Sequence, residues 1–176
     1  MPRVVLFEPQ IPPNTGNVAR TCAATGCELH LVEPLGFAIT DRQLKRAGLD
    51  YWPHVPLRRH ASWQPFETER RQRSGRLLAF SSHAQMPYHQ FSFQHDDWLL
   101  FGRETDGLPR DLLTSADALL TIPMACRAAA EGTGGVRSLN LSVSVGVVLF
   151  EALRQLGALD AISVRDDPDR REIGGR

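Results

Sequence analysis

Lysine is almost missing from this chain. Of its 20 basic residues only Lys45 is a lysine, and 20 acidic residues balance them to a formal net charge of zero. Three cysteines, Cys22, Cys27 and Cys126, are too few and too oddly spaced for a disulfide framework, which excludes the small disulfide-stapled class and predicts a reducing, cytosolic compartment. No apolar run is long enough to cross a bilayer, and the N-terminus runs into a strand-like segment with no expected signal peptide. The first strand–helix connection lacks the Gly-x-Gly-x-x-Gly of dinucleotide folds, and no Gly-Lys-Ser/Thr occurs anywhere. Six histidines form no HExxH or other ligand-like spacing, so no metal is expected.

What is present fits one domain. The apolar fraction is 42%, ordinary for a globular protein, and 176 residues can bury a core. Apolar runs at Val4–Glu8, Glu28–Val32, Leu77–Ser82, Trp98–Phe101 and Ala118–Ile122 predict strands. Between them lie a helix capped by Asn14 and stopped by Gly26, a short helix from Asp41 to Gly48, a polar exposed helix over Ser62–Arg73 and a turn at Pro109–Leu113. Leu139–Leu156 mixes strand-like alternation with helical spacing. Its length and Gly157 favour one helix, with Leu141, Val145, Leu149 and Leu156 on one face and a small-residue groove at Ser142 and Gly146. Strands alternating with helices predict a parallel α/β sheet. The domain is expected to span 1–157, with a charged tail over 158–176.

Three polar segments stand at predicted strand ends, where ligands of open α/β sheets bind. They are Asn14–Arg20, Gly102–Pro109 and Ile122–Asn140. Taken singly, each also reads as a cap or a turn; together they point to one crevice. Glu104 and Asp106 also read as a carboxylate pair. Residues 1–76 hold 11 Lys and Arg against 7 Asp and Glu, so an arginine-rich patch in that half permits a nucleic-acid partner.

In order along the chain, Leu6-Phe7-Glu8-Pro9, Ile11-Pro12-Pro13-Asn14-Thr15-Gly16-Asn17 with Arg20, Arg46-Ala47-Gly48-Leu49-Asp50-Tyr51, Phe101-Gly102 with Glu104-Thr105 and Gly107-Leu108-Pro109, Ile122-Pro123-Met124, and Ser138 with Asn140-Leu141-Ser142 closely resemble the SPOUT-class RNA methyltransferases. More narrowly, they look like the small single-domain type that methylates the ribose 2′-hydroxyl of the wobble nucleotide of tRNA, a cytidine or carboxymethylaminomethyluridine. The resemblance implies a parallel sheet flanked by helices, with a deep C-terminal trefoil knot. It also implies a cytoplasmic homodimer with its active sites at the interface, and S-adenosylmethionine as cofactor. By similarity, Phe80, Gly102, Ile122, Ser138 and Leu139 contact the cofactor, and Arg20, Glu104, Ser138 and Asn140 serve catalysis. A guanidinium keeps its proton (pKa above about 12), so Arg20 is expected to act by binding an adjacent phosphate or by lowering the hydroxyl pKa. Asn17, Arg46, Arg58, Arg59 and His60 are candidate tRNA contacts. The chain departs from the pattern in a longer Ala/Gly-rich loop between Met124 and Arg137, and in Phe150 where relatives commonly have tyrosine. Two alternatives remain: a ribosomal RNA target, and a non-catalytic RNA-binding module on the same fold.

Overall fold

Among the described residues, every ladder between strands is parallel. The computed structural model describes residues 1–37, 55–125 and 136–161. Its strands are β1 (Arg3–Phe7), β2 (Glu28–Val32), β3 (Leu57–His60), β4 (Leu77–Phe80), β5 (Met86–Pro87), β6 (Trp98–Phe101) and β7 (Ala118–Thr121), in the order β3-β2-β1-β6-β4-β7-β5. The helices are α1 (Pro12–Thr25), α2 (Trp63–Arg71), α3 (Arg110–Ser115), α4 (Leu141–Gln155) and α5 (Ala158–Ala161).

The central strands are apolar on both faces because both faces are covered. In β1, Val4 and Leu6 join one core with Leu99, Phe101, Val18, Val145 and Leu149, whereas Val5 and Phe7 join the other with Trp98, Leu100 and Phe66. Successive side chains point to opposite faces, so α1 and α4 cover the first core and α2 and α3 the second. The segment of mixed periodicity is helical: α4 buries Val145, Val148, Leu149, Ala152 and Leu153. Gly157 at φ +65 ends it, and the helical path resumes as α5, four residues past the expected boundary, with Ala158 in the core. Residues 162–176, the 41–48 helix and Arg46 lie outside the described residues.

Two strands were not expected from the sequence. Leu57-Arg58-Arg59-His60 and Met86-Pro87 form β3 and β5, the two edges of the sheet. Edge strands tolerate charge and proline because one side needs no ladder partner. Their apolar signal is correspondingly weak. Nor is α2 simply an exposed polar helix. Its Phe66 is fully buried and packs edge-on against His30, His60 and Trp98.

This packing overturns the expectation that His60 meets RNA. It is 5% exposed, and its Nε2 lies 3.0 Å from Nδ1 of the fully buried His30. Nε2 of His30 lies 3.2 Å from a Glu28 oxygen, which can only accept. His30 therefore carries its proton on Nε2 and accepts from His60, and a second proton would place a charge in a buried, stacked pair where desolvation disfavours it. Burial pushes the His30 pKa down to about 4 and lowers that of His60, while the Arg73 guanidinium holds Glu28 down to about 2. An unfolded histidine takes its proton near 6.5, so acidification favours the unfolded chain first. Stability is expected to be full above pH 6.5 and to fall by about 3 kcal/mol as the pH drops through the folded value of His30. Thermal melts from pH 7.5 to 4 check this; a midpoint unchanged down to pH 4.5 would contradict it.

Candidate active site

Beyond the carboxyl ends of β1, β4, β6 and β7 the chain leaves an open cleft of about 1080 Å³. This is the crevice where strand order reverses: β1 feeds β2 and β3 on one side, and β6 and β4 lie on its other side. The wall is made by the ends of these strands and by the residues leading into α4.

The three polar segments meet at Asn14. The helix begins earlier than expected: Ile11 is the N-cap, Pro12 and Pro13 supply the first turn without needing N–H partners, and Asn14 lies inside it. Asn14 is thereby released from capping its own helix. It is 5% exposed; its Nδ2 donates to Glu104 Oε1 at 3.0 Å, and its Oδ1 accepts from Asn140 Nδ2 at 2.9 Å. The Glu104 carboxylate, from the loop after β6, caps the approach to α1 in place of a local side chain. It accepts the backbone N–H of Gln10 at 2.8 Å and of Ile11 at 3.2 Å. Asn140 in turn caps α4, its Oδ1 accepting from the Ser142 N–H at 2.9 Å and the Ser142 hydroxyl at 2.8 Å. One relay, Glu104–Asn14–Asn140, thus binds the starts of two helices to the loop between them. Sequence reasoning placed Asn14 only as a cap; the signal for more was two prolines ahead of it, which already satisfy the helix start.

The rest of the 102–108 loop is held by a second set of bonds. Arg103 donates to Glu8 at 2.7 Å and, through two nitrogens, to both oxygens of Asp106 at 2.7 Å. These partners raise the arginine pKa and lower that of Asp106, so both stay charged. Glu8 sits at φ +47, a conformation costly for a residue with a side chain, held by its N–H to Val32 O and its carboxylate to Arg103. Glu104 and Asp106 are thus each committed to other partners and form no acid/base pair.

Gly102 is required by the loop itself. Arg103 and Gly107 exchange both backbone hydrogen bonds, and a Cβ on Gly102 would lie 2.2 Å from the Gly107 carbonyl carbon. Gly102→Ala is expected to prise this loop open and destabilise the fold by about 1–3 kcal/mol, the usual cost of overpacking. A thermal melt checks it, and a wild-type midpoint would refute it.

Phe80, Gly102, Glu104, Ile122, Ser138, Leu139 and Asn140 all line the cleft, and Phe80 stacks on Phe101 at 4.7 Å between ring centroids. Asn17 and Arg20 are exposed on α1 and are not part of the cleft lining. Arg58 and Arg59 are exposed on edge strand β3, away from the cleft. Each faces a carboxylate, Arg58 with Glu69 at 3.2 Å and Arg59 with Glu33 at 2.6 Å. Among the described residues, no group of three or more His, Cys, Asp or Glu is arranged to hold a metal, and no helix is long and apolar enough to cross a membrane.

Comparison with known proteins agrees with this geometry. A tRNA (cytidine(34)-2′-O)-methyltransferase from a Polaromonas species is 49% identical over 154 residues, covering 88% of this chain and 90% of its own. A solved structure described as giving insights into 2′-OH methylation of C/U34 on tRNA superposes with a TM-score of 0.79 at 48% identity, covering 89% of this chain and 97% of its own. The AviRb methyltransferase of Streptomyces viridochromogenes in complex with AdoMet matches at a TM-score of 0.73 and 26% identity, covering 89% of this chain and 57% of its own. Residues 1–150, which carry all seven strands and the Glu104–Asn14–Asn140 relay, match the SpoU rRNA Methylase family, and the chain is a member of it.

Proposed function

We propose that this protein transfers the methyl group of S-adenosylmethionine to the ribose 2′-hydroxyl of the wobble nucleotide of tRNA, a cytidine or carboxymethylaminomethyluridine. The observation that carries the reading is the convergence of three separate polar segments on one cleft through Asn14. The relatives described as acting on C34 and on C/U34 support the choice of tRNA, and the AdoMet complex supports the cofactor.

The cleft suits that cofactor. Phe80, stacked on Phe101, would offer an aromatic wall to a purine, and Gly102, Ile122, Ser138 and Leu139 line the same cleft, where their backbone groups would meet the cofactor. The cofactor's sulfonium supplies a methyl group that is already activated. What remains for the protein is to align the ribose hydroxyl for in-line attack and ease the loss of its proton. Arg20 would serve that hydroxyl, by gripping the adjacent phosphate or by stabilising the developing alkoxide. Glu104 and Asn140 would keep the nucleotide-facing loops in register through their bonds to α1 and α4, and Ser138 would meet the nucleotide or cofactor from the cleft wall beside them.

The C-terminal trefoil knot, the cytoplasmic setting and the homodimer belong to the same proposal. An apolar stripe supports the dimer: Val143, Gly146, Val147 and Phe150 share one side of α4, with Val143 and Phe150 49% and 47% exposed. Nothing lies within 4 Å of a Cβ placed on Gly146, so the expected groove is open to a close-packing helix. Phe150→Glu is expected to shift the protein from dimer to monomer in analytical ultracentrifugation; a variant as dimeric as the wild type would move the interface elsewhere.

The function itself is tested by incubating the protein with labelled S-adenosylmethionine and either total tRNA or ribosomal RNA, then mapping methylated nucleosides by mass spectrometry. The expected product is 2′-O-methylated position 34. The family's rRNA name favours one rival, which wins if ribosomal RNA alone takes up label. Cofactor binding without transfer to either RNA would favour a module that only binds.

A further inference from the structure

Most arginines among the described residues are spent on neighbours of this chain. Arg103 is divided between Glu8 and Asp106, Arg58 and Arg59 face glutamates, and Arg73 donates to both oxygens of Glu28. Arg137 differs. It lines the cleft, it is exposed, and it makes no hydrogen bond or ion pair with any described residue. The two carboxylates that line the same cleft are already committed, Glu104 to two backbone amides and Asn14, and Asp106 to Arg103.

Its place on the chain gives this free guanidinium a use. Three residues later comes Asn140, locked to Asn14 on one side and to Ser142 on the other. The base of the Arg137 segment is therefore fixed to the relay that also fixes Glu104, while its side chain stays available. A planar fork with five donors, held at the rim of a cleft and lacking a carboxylate, suits a phosphate diester. The cofactor's carboxylate is the other anion in reach of such a cleft.

We infer that Arg137 binds a backbone phosphate of the RNA substrate and so fixes the register of the reacting nucleotide over the cleft. This rests on the proposed RNA methyltransferase function. Arg137 is a substrate-binding residue; it takes no part in moving the methyl group or the proton.

The test uses the full-length protein, S-adenosylmethionine and an unmodified tRNA transcript with cytidine at position 34. Arg137→Ala is expected to weaken tRNA binding about tenfold or more, the worth of one charge-assisted contact. It should also flatten the plot of log affinity against log salt by about one phosphate's slope. Arg137→Lys should recover most of the salt slope and only part of the affinity, since it restores the charge without the fork. Cofactor affinity by calorimetry should match the wild type in both variants. Unchanged tRNA affinity and salt slope in Arg137→Ala would overturn the inference, as would a loss of cofactor binding with tRNA binding intact. Wild-type protein that methylates no RNA would instead bring down the function reading, and this inference with it, before any variant is compared.

Discussion

Glu104→Ala is expected to lose methyl transfer by on the order of 100-fold and to melt earlier, because one carboxylate holds three donors from another part of the chain. Removing it leaves the Gln10 and Ile11 amides and the Asn14 amide without their acceptor at the start of α1. The stability cost is about 2 kcal/mol, since the groups are partly reached by water and charge-assisted bonds of this kind are worth about 1.5–3 kcal/mol each. The catalytic cost exceeds what that loss alone would produce. Asn14 freed from Glu104 can rotate, and Asn140 then loses the partner that orients it. Glu104→Gln should fall between the two, because an amide keeps one accepting oxygen and replaces the other with a donor facing donors. Single-turnover transfer assays, read beside thermal melts, decide the matter. An alanine variant that melts early yet turns over normally would reduce Glu104 to a structural cap.

Arg20→Ala is expected to abolish methyl transfer to tRNA, by at least on the order of 10²-fold, with cofactor affinity unchanged. The geometry explains the split. Arg20 lies six residues beyond Asn14 on α1, about 9 Å along the helix axis, exposed and outside the cleft lining. Its removal leaves the cleft wall, which other segments build, untouched. Arg20→Lys should recover little, because a point charge does not reproduce the fork that spans a phosphate and a hydroxyl. Normal turnover in the alanine variant would sink the assignment, and so would a parallel loss of cofactor binding, which would make Arg20 part of the cofactor pocket.

Much of the architecture is legible in residue order because burial on both sheet faces leaves a strong mark. Val4–Phe7, Leu77–Phe80 and Trp98–Phe101 are continuous apolar runs of strand length, the pattern that burial on both faces of a parallel sheet produces. The edge strands left no such mark. Leu57–His60 carries two arginines because its outer side needs no partner, so it lacks the apolar run that marks the central strands. The site was legible as three polar segments, since chemistry of this density is unusual at the ends of buried strands. Their roles were less so. Gly102 reads as a place where a ligand comes close, and the structure shows that the Gly107 backbone fills the space a side chain would take. His60, flanked by Arg58 and Arg59, reads as an RNA contact; it is instead buried against His30 beneath α2.

The sequence by itself determined the parallel sheet, the long α4 helix and the family, because periodicity, turn residues and motif order are local properties of the chain. Only the tertiary structure decided which polar residues meet. Glu104 lies 90 positions from Asn14, and Asn140 lies 126 from it; their hydrogen bonds exist because β1 and β6 are neighbours in the sheet and α4 returns across α1. No local pattern encodes a partner that distant. The same holds for the arginines: residue type is written in the sequence, but whether a guanidinium is neutralised, as Arg103 is, or left open at the cleft, as Arg137 is, depends on which carboxylates the fold brings to it.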